Sequence, residues 1–249
     1  MEKVKVSLVS YLNSKPFDFG LRRSALFNSI ILSLDHPAIC AEKLITKKVD
    51  IGLVPVAVLT SIQNASIISD YCIGASGSVK SVLLVSGVPV NEIKSIILDH
   101  ESRTSVLLAR ILAKEFWSIE PVWGNESADG FSKIDGTSAA VVIGDRALEM
   151  RERFKYVYDL SEEWQKMTNL PFVFACWVAN KNMELSFLDS FNAALKLGVE
   201  NINELAVVEN LSVFEKSYLE NSIHYRLTEK MKEGLDLFQK LIQSLNLKN

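Results

Sequence analysis

The 249-residue chain has few of the residues that mark the most specialised protein classes. Its three cysteines, Cys40, Cys72 and Cys176, are far apart and form no CxxC pair. This spacing argues against a disulfide framework and favours ordinary thiols in a reducing cytoplasm. The three histidines, His36, His100 and His224, are isolated from one another. The sequence contains neither an HExxH motif nor a Cys/His cluster, so it gives no indication of a transition-metal site.

Long apolar runs and basic patches are also lacking. The longest apolar runs, 51–59 and 170–179, are too short and too interrupted to span a bilayer. The N-terminus enters a strand at once, without the apolar segment and cleavage site of a secretory signal. The net charge is −3, and the charges are interspersed along the chain. We therefore expect a cytoplasmic protein with no nucleic-acid or membrane partner, whereas an anionic small molecule remains compatible as a ligand.

What the chain does contain is an alternation of apolar strands with segments of helical spacing. The predicted strands are 4–9, 49–56, 78–85, 95–99, 139–143 and 170–178, and the predicted helices are 37–45, 102–116, 187–201, 205–209 and 228–245. This alternation predicts an α/β fold with a largely parallel sheet.

The order of these elements indicates two lobes with a ligand cleft between them. We predict a discontinuous lobe 1 formed by 1–82 and 177–249, and a lobe 2 formed by 83–176. The strands 78–85 and 172–178 would connect the lobes, and the last helices would return to lobe 1.

Four polar clusters follow or interrupt the strands, and the first is Ser10-Tyr11-Leu12-Asn13. It comes directly after an apolar strand, and ligands of open α/β sheets bind at the carboxyl ends of strands. Pro16 suits the first turn of a helix that follows. The amide of Asn13 can donate to a carboxylate or a developing enolate, or it can cap its own turn.

The second cluster centres on Ser81, which alternates with apolar residues and points into the cleft or bonds to the backbone. The third, Ser102-Arg103-Thr104-Ser105, begins the clearest helix. Its free N–H groups and hydroxyls suit an anion, while Ser102 or Thr104 can also serve as a plain N-cap.

The fourth cluster is Gly144-Asp145, directly after a buried strand. Gly144 allows a ligand to approach the backbone closely. Asp145 can accept from a substrate hydroxyl, but capping of the following helix is the stronger interpretation from spacing alone. Together the four clusters indicate an anion-binding cleft without naming a reaction.

The amino-acid sequence of these segments resembles that of the menaquinone-biosynthesis chorismate dehydratases of the futalosine pathway. The likeness runs in order through 9–16, 50–56, 79–82, 102–106, 143–148 and 170–175, and covers about residues 4–180. Two positions depart from the family pattern, since Ser161 and Asn169 stand where glycine is usual. Asn169 would keep the turn, because asparagine tolerates a positive φ.

The resemblance implies a two-lobed fold of the type II periplasmic-binding-protein class, acting in the cytoplasm without metal or organic cofactor. It implies a hydro-lyase reaction, in which chorismate loses water to give 3-[(1-carboxyvinyl)oxy]benzoate. The residues that match the family's site motifs are assigned as follows: catalytic, Asn13 and Ser81; substrate-binding, Ser10, Tyr11, Thr104, Ser105, Gly144 and Asp145.

The general base stays open, because the matched motifs contain no histidine. The substrate's own enolpyruvyl carboxylate is one candidate. Two other functions also stay open. One is the sibling enzyme that forms dihydroxynaphthoate, against which the motifs at Ser10–Asn13 and Ser102–Ser105 argue. The other is a non-catalytic carboxylate-binding module, which predicts export or tethering.

Overall fold

The structure is a computed structural model that describes residues 3–98, 102–125, 134 and 136–245. Its strands are β1 (Val4–Val9), β2 (Ile30–Asp35), β3 (Ile51–Pro55), β4 (Ser66–Ala75), β5 (Val82–Ser86), β6 (Ser95–Leu98), β7 (Val122–Asn125), β8 (Ser138–Ile143), β9 (Tyr156–Asp159), β10 (Phe172–Ala179) and β11 (His224–Arg226). Its α-helices are α1 (Lys15–Arg23), α2 (Pro37–Ile45), α3 (Arg103–Glu115), α4 (Gly144–Met150), α5 (Leu160–Thr168), α6 (Leu185–Glu200), α7 (Ile202–Val208), α8 (Val213–Asn221) and α9 (Glu229–Ser244).

The long periodic segments are confirmed. Helix α2 has the predicted bounds, and α3, α6 and α9 differ from the predicted helices by one or two residues at an end. Pro16 lies in the first turn of α1, as its fixed φ predicts. Asn169 adopts φ 58° after α5, which confirms that it keeps the turn where glycine is usual. The end of the predicted strand 95–99 falls at Asp99, outside the described residues.

Chain contacts divide the protein into two compact units, one formed by residues up to 74 together with 173–229, the other by 75–172 and the residues from 230 onward. Within the described residues the first unit contains a six-stranded sheet in the order β11-β4-β10-β3-β1-β2, and the second a five-stranded sheet in the order β7-β6-β8-β5-β9.

The prediction of a largely parallel sheet is wrong, because both sheets are mixed. β1 pairs in parallel with β2 and β3, and β6 with β7 and β8. β10 runs antiparallel to β3, and β5 antiparallel to β8 and β9. Parallel neighbours need a crossover within the sheet, which the intervening helices provide for β1–β2 and β6–β7. β5 and β10 come into their sheets near the points where the chain changes units, so no such crossover fixes their direction.

Where the predicted lobes begin and end stays a prediction, and the compact units differ from it in two places. The chain leaves the first unit after Gly74, within β4, so the expected connecting strand 78–85 lies inside the second unit. The last helix, α9, also belongs to the second unit. Its Phe238 packs edge-on against Trp164 and Phe172, with ring centroids 6.1 and 5.0 Å apart.

Helix α1, which follows the Ser10–Asn13 segment, lies backbone to backbone against α6. A Cβ added to Gly198 would overlap the carbonyl oxygen of Pro16, and one added to Gly20 would overlap that of Ala194. Both contacts are to main-chain atoms, which cannot rotate away as a side chain does. The two glycines therefore set the distance between α1 and α6.

We expect Gly198→Ala to lower the free energy of unfolding by about 2–3 kcal/mol, because α1 must shift to admit the methyl group. Urea denaturation measures this as a lower midpoint. Gly124→Ala is the matched control, since a Cβ there meets no atom within 4 Å. A midpoint for Gly198→Ala equal to that of the control would contradict the close approach of α1 to α6.

Candidate functional site

The first polar cluster lies where β1 ends. The N–H of Ser10 donates to the carbonyl oxygen of Asp35 at 3.0 Å, which continues the pairing of β1 with β2 by one residue. Ser10 is exposed, and Tyr11 is partly exposed. The ring of Tyr11 meets that of His36 edge-on, with centroids 6.3 Å apart. The loop thus presents a hydroxyl and a phenol at the carboxyl end of the sheet.

Asn13 lies in the middle of a 3₁₀ turn, Leu12–Ser14, and is partly exposed. The hydroxyl of Ser14 holds this turn by donating to the carbonyl oxygens of Val9 and Tyr11, the latter at 2.8 Å. The N-cap positions of the 3₁₀ turn and of α1 are Tyr11 and Ser14, so Asn13 caps neither element. Its position leaves the amide suited to the donor role.

A partly buried polar network, which the sequence does not reveal, joins β1 to the end of β2. Asp35 accepts from the hydroxyls of Ser7 (2.8 Å) and Ser33 (2.7 Å) and from the ammonium of Lys43 (2.6 Å). Burial opposes ionisation of Asp35, but the bond from Lys43, the two hydroxyls and the charge of Lys43 outweigh it. The pKa of Asp35 therefore lies below its usual value. The ionised network fixes the strand end from which Ser10 leaves.

Ser81 lies in the second unit, in a bend directly before β5, and is buried. The prediction that Ser81 alternates within a strand starting at 78 is wrong, because β5 begins only at Val82. The preceding residue, Lys80, has φ 65°, which a strand cannot accommodate. The carboxylate of Asp159 holds this bend, accepting from the Ser78 hydroxyl (2.7 Å) and the Lys80 N–H (2.6 Å).

Ser102 is the N-cap of α3, as one of the two interpretations of this cluster predicted. Its hydroxyl oxygen accepts from the N–H of Ser105 at 3.2 Å and lies 2.7 Å from the Ser105 hydroxyl, to which it donates. Thr104 and Ser105 are almost fully buried in the first turn. This arrangement places two hydroxyl groups together at the N-terminus of α3.

Gly144 is buried and has φ 62°, a conformation that favours glycine. Its N–H donates to the carbonyl oxygen of Ser81 at 2.8 Å, which joins the second and fourth clusters. Asp145 is exposed and lies inside the first turn of α4, where the N-cap position is Ile143. The prediction that Asp145 caps this helix is therefore wrong.

The sheet of the second unit brings Ser81 and Gly144 to the same end, where β6 also finishes. β6 and β8 are parallel, so Leu98 and Ile143 close their strands at this end of the sheet. β5 is antiparallel to β8, with Val82 opposite Ile143, so Ser81 precedes β5 on that side too. In the first unit the predicted residues Ser10, Tyr11 and Asn13 share a single loop. Each unit thus gathers its polar residues at the carboxyl ends of parallel strands, where α/β sheets bind ligands.

These residues offer hydrogen-bond donors but little nucleophilic chemistry. The three cysteines are free and buried, and burial raises the pKa values of Cys40 and Cys176 to about 12 and that of Cys72 well above its usual value. They therefore remain neutral thiols. Within the described residues, no group of three His, Cys, Asp or Glu side chains could hold a metal ion. No helix in the same part of the chain is both long and apolar enough to cross a membrane.

Comparison with known proteins gives the family. The model of a protein family described as menaquinone biosynthesis matches residues 4–244. The chain belongs to this family. Two curated relatives of this chain are named chorismate dehydratase. The one from Campylobacter jejuni is 27% identical over 248 residues, covering 96% of this chain and 97% of the relative. The one from Thermus thermophilus is 27% identical over 200 residues, covering 71% and 73%.

Solved structures show the fold that the family member adopts. A protein from Archaeoglobus fulgidus aligns with a TM-score of 0.77 at 12% identity, over 99% of this chain and 98% of that one. A Candida albicans protein with the generic periplasmic binding protein fold aligns with a TM-score of 0.60 at 12% identity, over 98% and 94%. The predicted periplasmic-binding-protein-like α/β fold is confirmed, and so is the resemblance to the menaquinone-biosynthesis dehydratases.

Proposed function

We propose that this chain is a chorismate dehydratase, a hydro-lyase that converts chorismate to 3-[(1-carboxyvinyl)oxy]benzoate in the futalosine route to menaquinone. The observation that carries the proposal is the near full-length match to a relative named chorismate dehydratase. The site residues agree with it, because they supply donors for carboxylates rather than a nucleophile. The proposal includes a cytoplasmic location, in keeping with three thiols that form no disulfide.

The reaction needs a proton removed and a hydroxyl expelled from neighbouring ring carbons. The proton lies on the carbon that bears the enolpyruvyl ether, where the ring carboxylate activates it through a conjugated double bond. As this C–H bond breaks, its electron pair spreads toward the ring carboxylate. The adjacent C–O bond then breaks, hydroxide takes up a proton to leave as water, and the ring becomes aromatic. Donors aimed at the ring carboxylate stabilise the enolate-like transition state.

We assign this stabilisation to Asn13 and Ser81. Thr104 and Ser105, at the N-terminus of the 13-residue helix α3, would bind a substrate carboxylate, because free N–H groups and the helix dipole favour an anion. The N-cap supports this role, since it brings the Ser102 and Ser105 hydroxyls to within 2.7 Å of each other at the helix N-terminus.

The remaining substrate contacts are assigned by position. Ser10 and Tyr11 lie in the same loop as Asn13, and Gly144 and Asp145 begin α4, where the Gly144 N–H bonds to Ser81. The substrate's enolpyruvyl carboxylate would act as the base, with the protein supplying orientation. This assignment agrees with the residues of the four clusters, which include no histidine.

Incubation of EDTA-treated protein with chorismate, followed by chromatography with mass detection, tests the proposal. We expect a product that has lost one water and absorbs as an aromatic ether. Chorismate that binds but is recovered unchanged would instead support a carboxylate-binding module. Activity that disappears with EDTA and returns with a divalent metal would contradict the metal-free part of the proposal.

A further inference from the structure

The turn that carries Asn13 is bonded to a residue near the other end of the chain. The hydroxyl of Tyr225, in the short strand β11, donates to the main-chain carbonyl oxygen of Asn13 at 3.1 Å, across 212 residues of sequence. Tyr225 is only 5% exposed. A buried hydroxyl that reaches one specific carbonyl of a ligand-facing turn is more than space-filling, because a phenylalanine would fill the same space.

The aromatic ring of Tyr225 is fixed independently of this hydrogen bond. It packs edge-on against Phe17, with centroids 5.4 Å apart. Phe17 also packs edge-on against Trp177 at 5.7 Å and Tyr71 at 6.2 Å. Since Phe17 lies in the first turn of α1, the cluster holds the helix that begins just after Asn13. The position of the Tyr225 hydroxyl is thus set before it bonds to the turn.

The hydroxyl is a dependable donor. Burial raises the pKa of Tyr225 well above its usual value, and the neighbouring Tyr218 contributes in the same direction. Tyr225 therefore stays protonated wherever the enzyme works. The bond orients the peptide group that follows Asn13. Since that peptide and the Cβ share the same Cα, its orientation also sets the direction of the Asn13 side chain.

We propose that Tyr225 is a positioning residue for the reaction, which acts by holding Asn13 in the orientation that reaches the substrate. This inference rests on the proposed function. Rate loss from a misplaced catalytic group is steep, because small displacements remove the alignment that the transition state needs. The inference therefore predicts an effect on turnover that is larger than the effect on folding or on substrate binding.

The test compares Tyr225→Phe with Tyr71→Phe in chorismate turnover. Both rings pack on Phe17. The Tyr71 hydroxyl, unlike that of Tyr225, makes no hydrogen bond to any residue that the structure describes. We expect Tyr225→Phe to lower kcat about 5- to 20-fold with KM changed less than about twofold, and Tyr71→Phe to leave both within about twofold. Equal kcat values for the two variants would overturn the proposal.

A double variant separates positioning from a general loss of stability. If Tyr225 acts through Asn13, adding Tyr225→Phe to Asn13→Ala should lower kcat no further, because the group that it orients is gone. A further loss in the double variant as large as in the single one would overturn the assignment to Asn13.

Hydrogen exchange of the peptide spanning residues 10–17 tests the anchoring without any substrate. We expect exchange about tenfold faster in Tyr225→Phe than in wild type or Tyr71→Phe, since the turn loses one of its bonds. If wild type fails to convert chorismate while this difference is seen, the proposed function fails and the anchoring role stands. Exchange that is the same in all three proteins overturns the anchoring role itself.

Discussion

Replacing Asn13 by alanine is expected to lower kcat for chorismate dehydration about 100- to 1000-fold, as removal of a single oxyanion donor does in other enzymes. The side chain lies in a 3₁₀ turn held by Ser14 and Tyr225 through main-chain atoms, so its loss leaves these bonds in place. Stability should change little, because Asn13 is partly exposed and caps no helix. Steady-state kinetics together with thermal unfolding checks both parts.

Asn13→Asp sharpens this prediction. It keeps the shape of the side chain but replaces the donating NH₂ with an anionic oxygen, which would repel the charge that develops on the substrate carboxylate. We expect a loss of kcat at least as large as in Asn13→Ala. The exposed Asn182 provides the control, and Asn182→Ala should turn over like wild type. Wild-type kcat in Asn13→Ala would remove this residue from the mechanism.

The parts of the fold that could be predicted are those whose signal is local. Helices α2, α3, α6 and α9 repeat apolar residues at helical spacing over nine or more positions, and each was found within two residues of its ends. The buried strands β1, β3 and β8 were found as short apolar runs. Such patterns record which face of an element is buried, and they need no knowledge of the partner.

The missed strands are β2, β4, β7, β9 and β11. β7, β9 and β11 have three or four residues each and offer few positions in which a period could show. β4 has ten residues, but it runs from an exposed half to a buried half and so lacks a regular alternation. The unit to which α9 belongs is decided by contacts of Phe238 with aromatic residues far from it in sequence. Strand direction was misjudged for the same reason, because alternation of strands and helices does not reveal where the chain changes units.

In the candidate site, too, the features with a local sequence signal could be predicted and those that depend on distant contacts could not. Its four clusters could be found from the sequence, because polar residues at the end of an apolar strand are a local signal. The hydrogen bonds that hold these clusters in place could not be predicted from the sequence. Tyr225 bonds to Asn13 across 212 residues of sequence, and Asp159 bonds to the bend that contains Ser81. The positive φ of Lys80 was also hidden, since lysine gives no sign of that conformation.

Replacing Asp159 by alanine is expected to lower the free energy of unfolding by about 3 kcal/mol, because four hydrogen bonds, one buried and three partly buried, lose their acceptor at once. One carboxylate oxygen, Oδ1, caps α5 by accepting from the N–H groups of Ser161 (3.1 Å) and Glu162 (3.2 Å). The other, Oδ2, accepts from the Ser78 hydroxyl and the Lys80 N–H, which holds the bend before Ser81. Urea denaturation measures the total loss, with Asp236→Ala, at an exposed position of α9, as the control.

Asp159→Asn separates the two roles of this carboxylate. An asparagine can keep its oxygen on the cap of α5, but its NH₂ group then faces two donors in the bend. We expect roughly half the loss of stability seen with alanine, about 1–2 kcal/mol, together with a fall in kcat of at least about tenfold as Ser81 loses its place. The same variant should leave KM within about threefold, since α3 and its capping serines are untouched. Wild-type kcat in a destabilised Asp159→Asn protein would mean that the bend does not carry a catalytic group, and Ser81 would leave the mechanism.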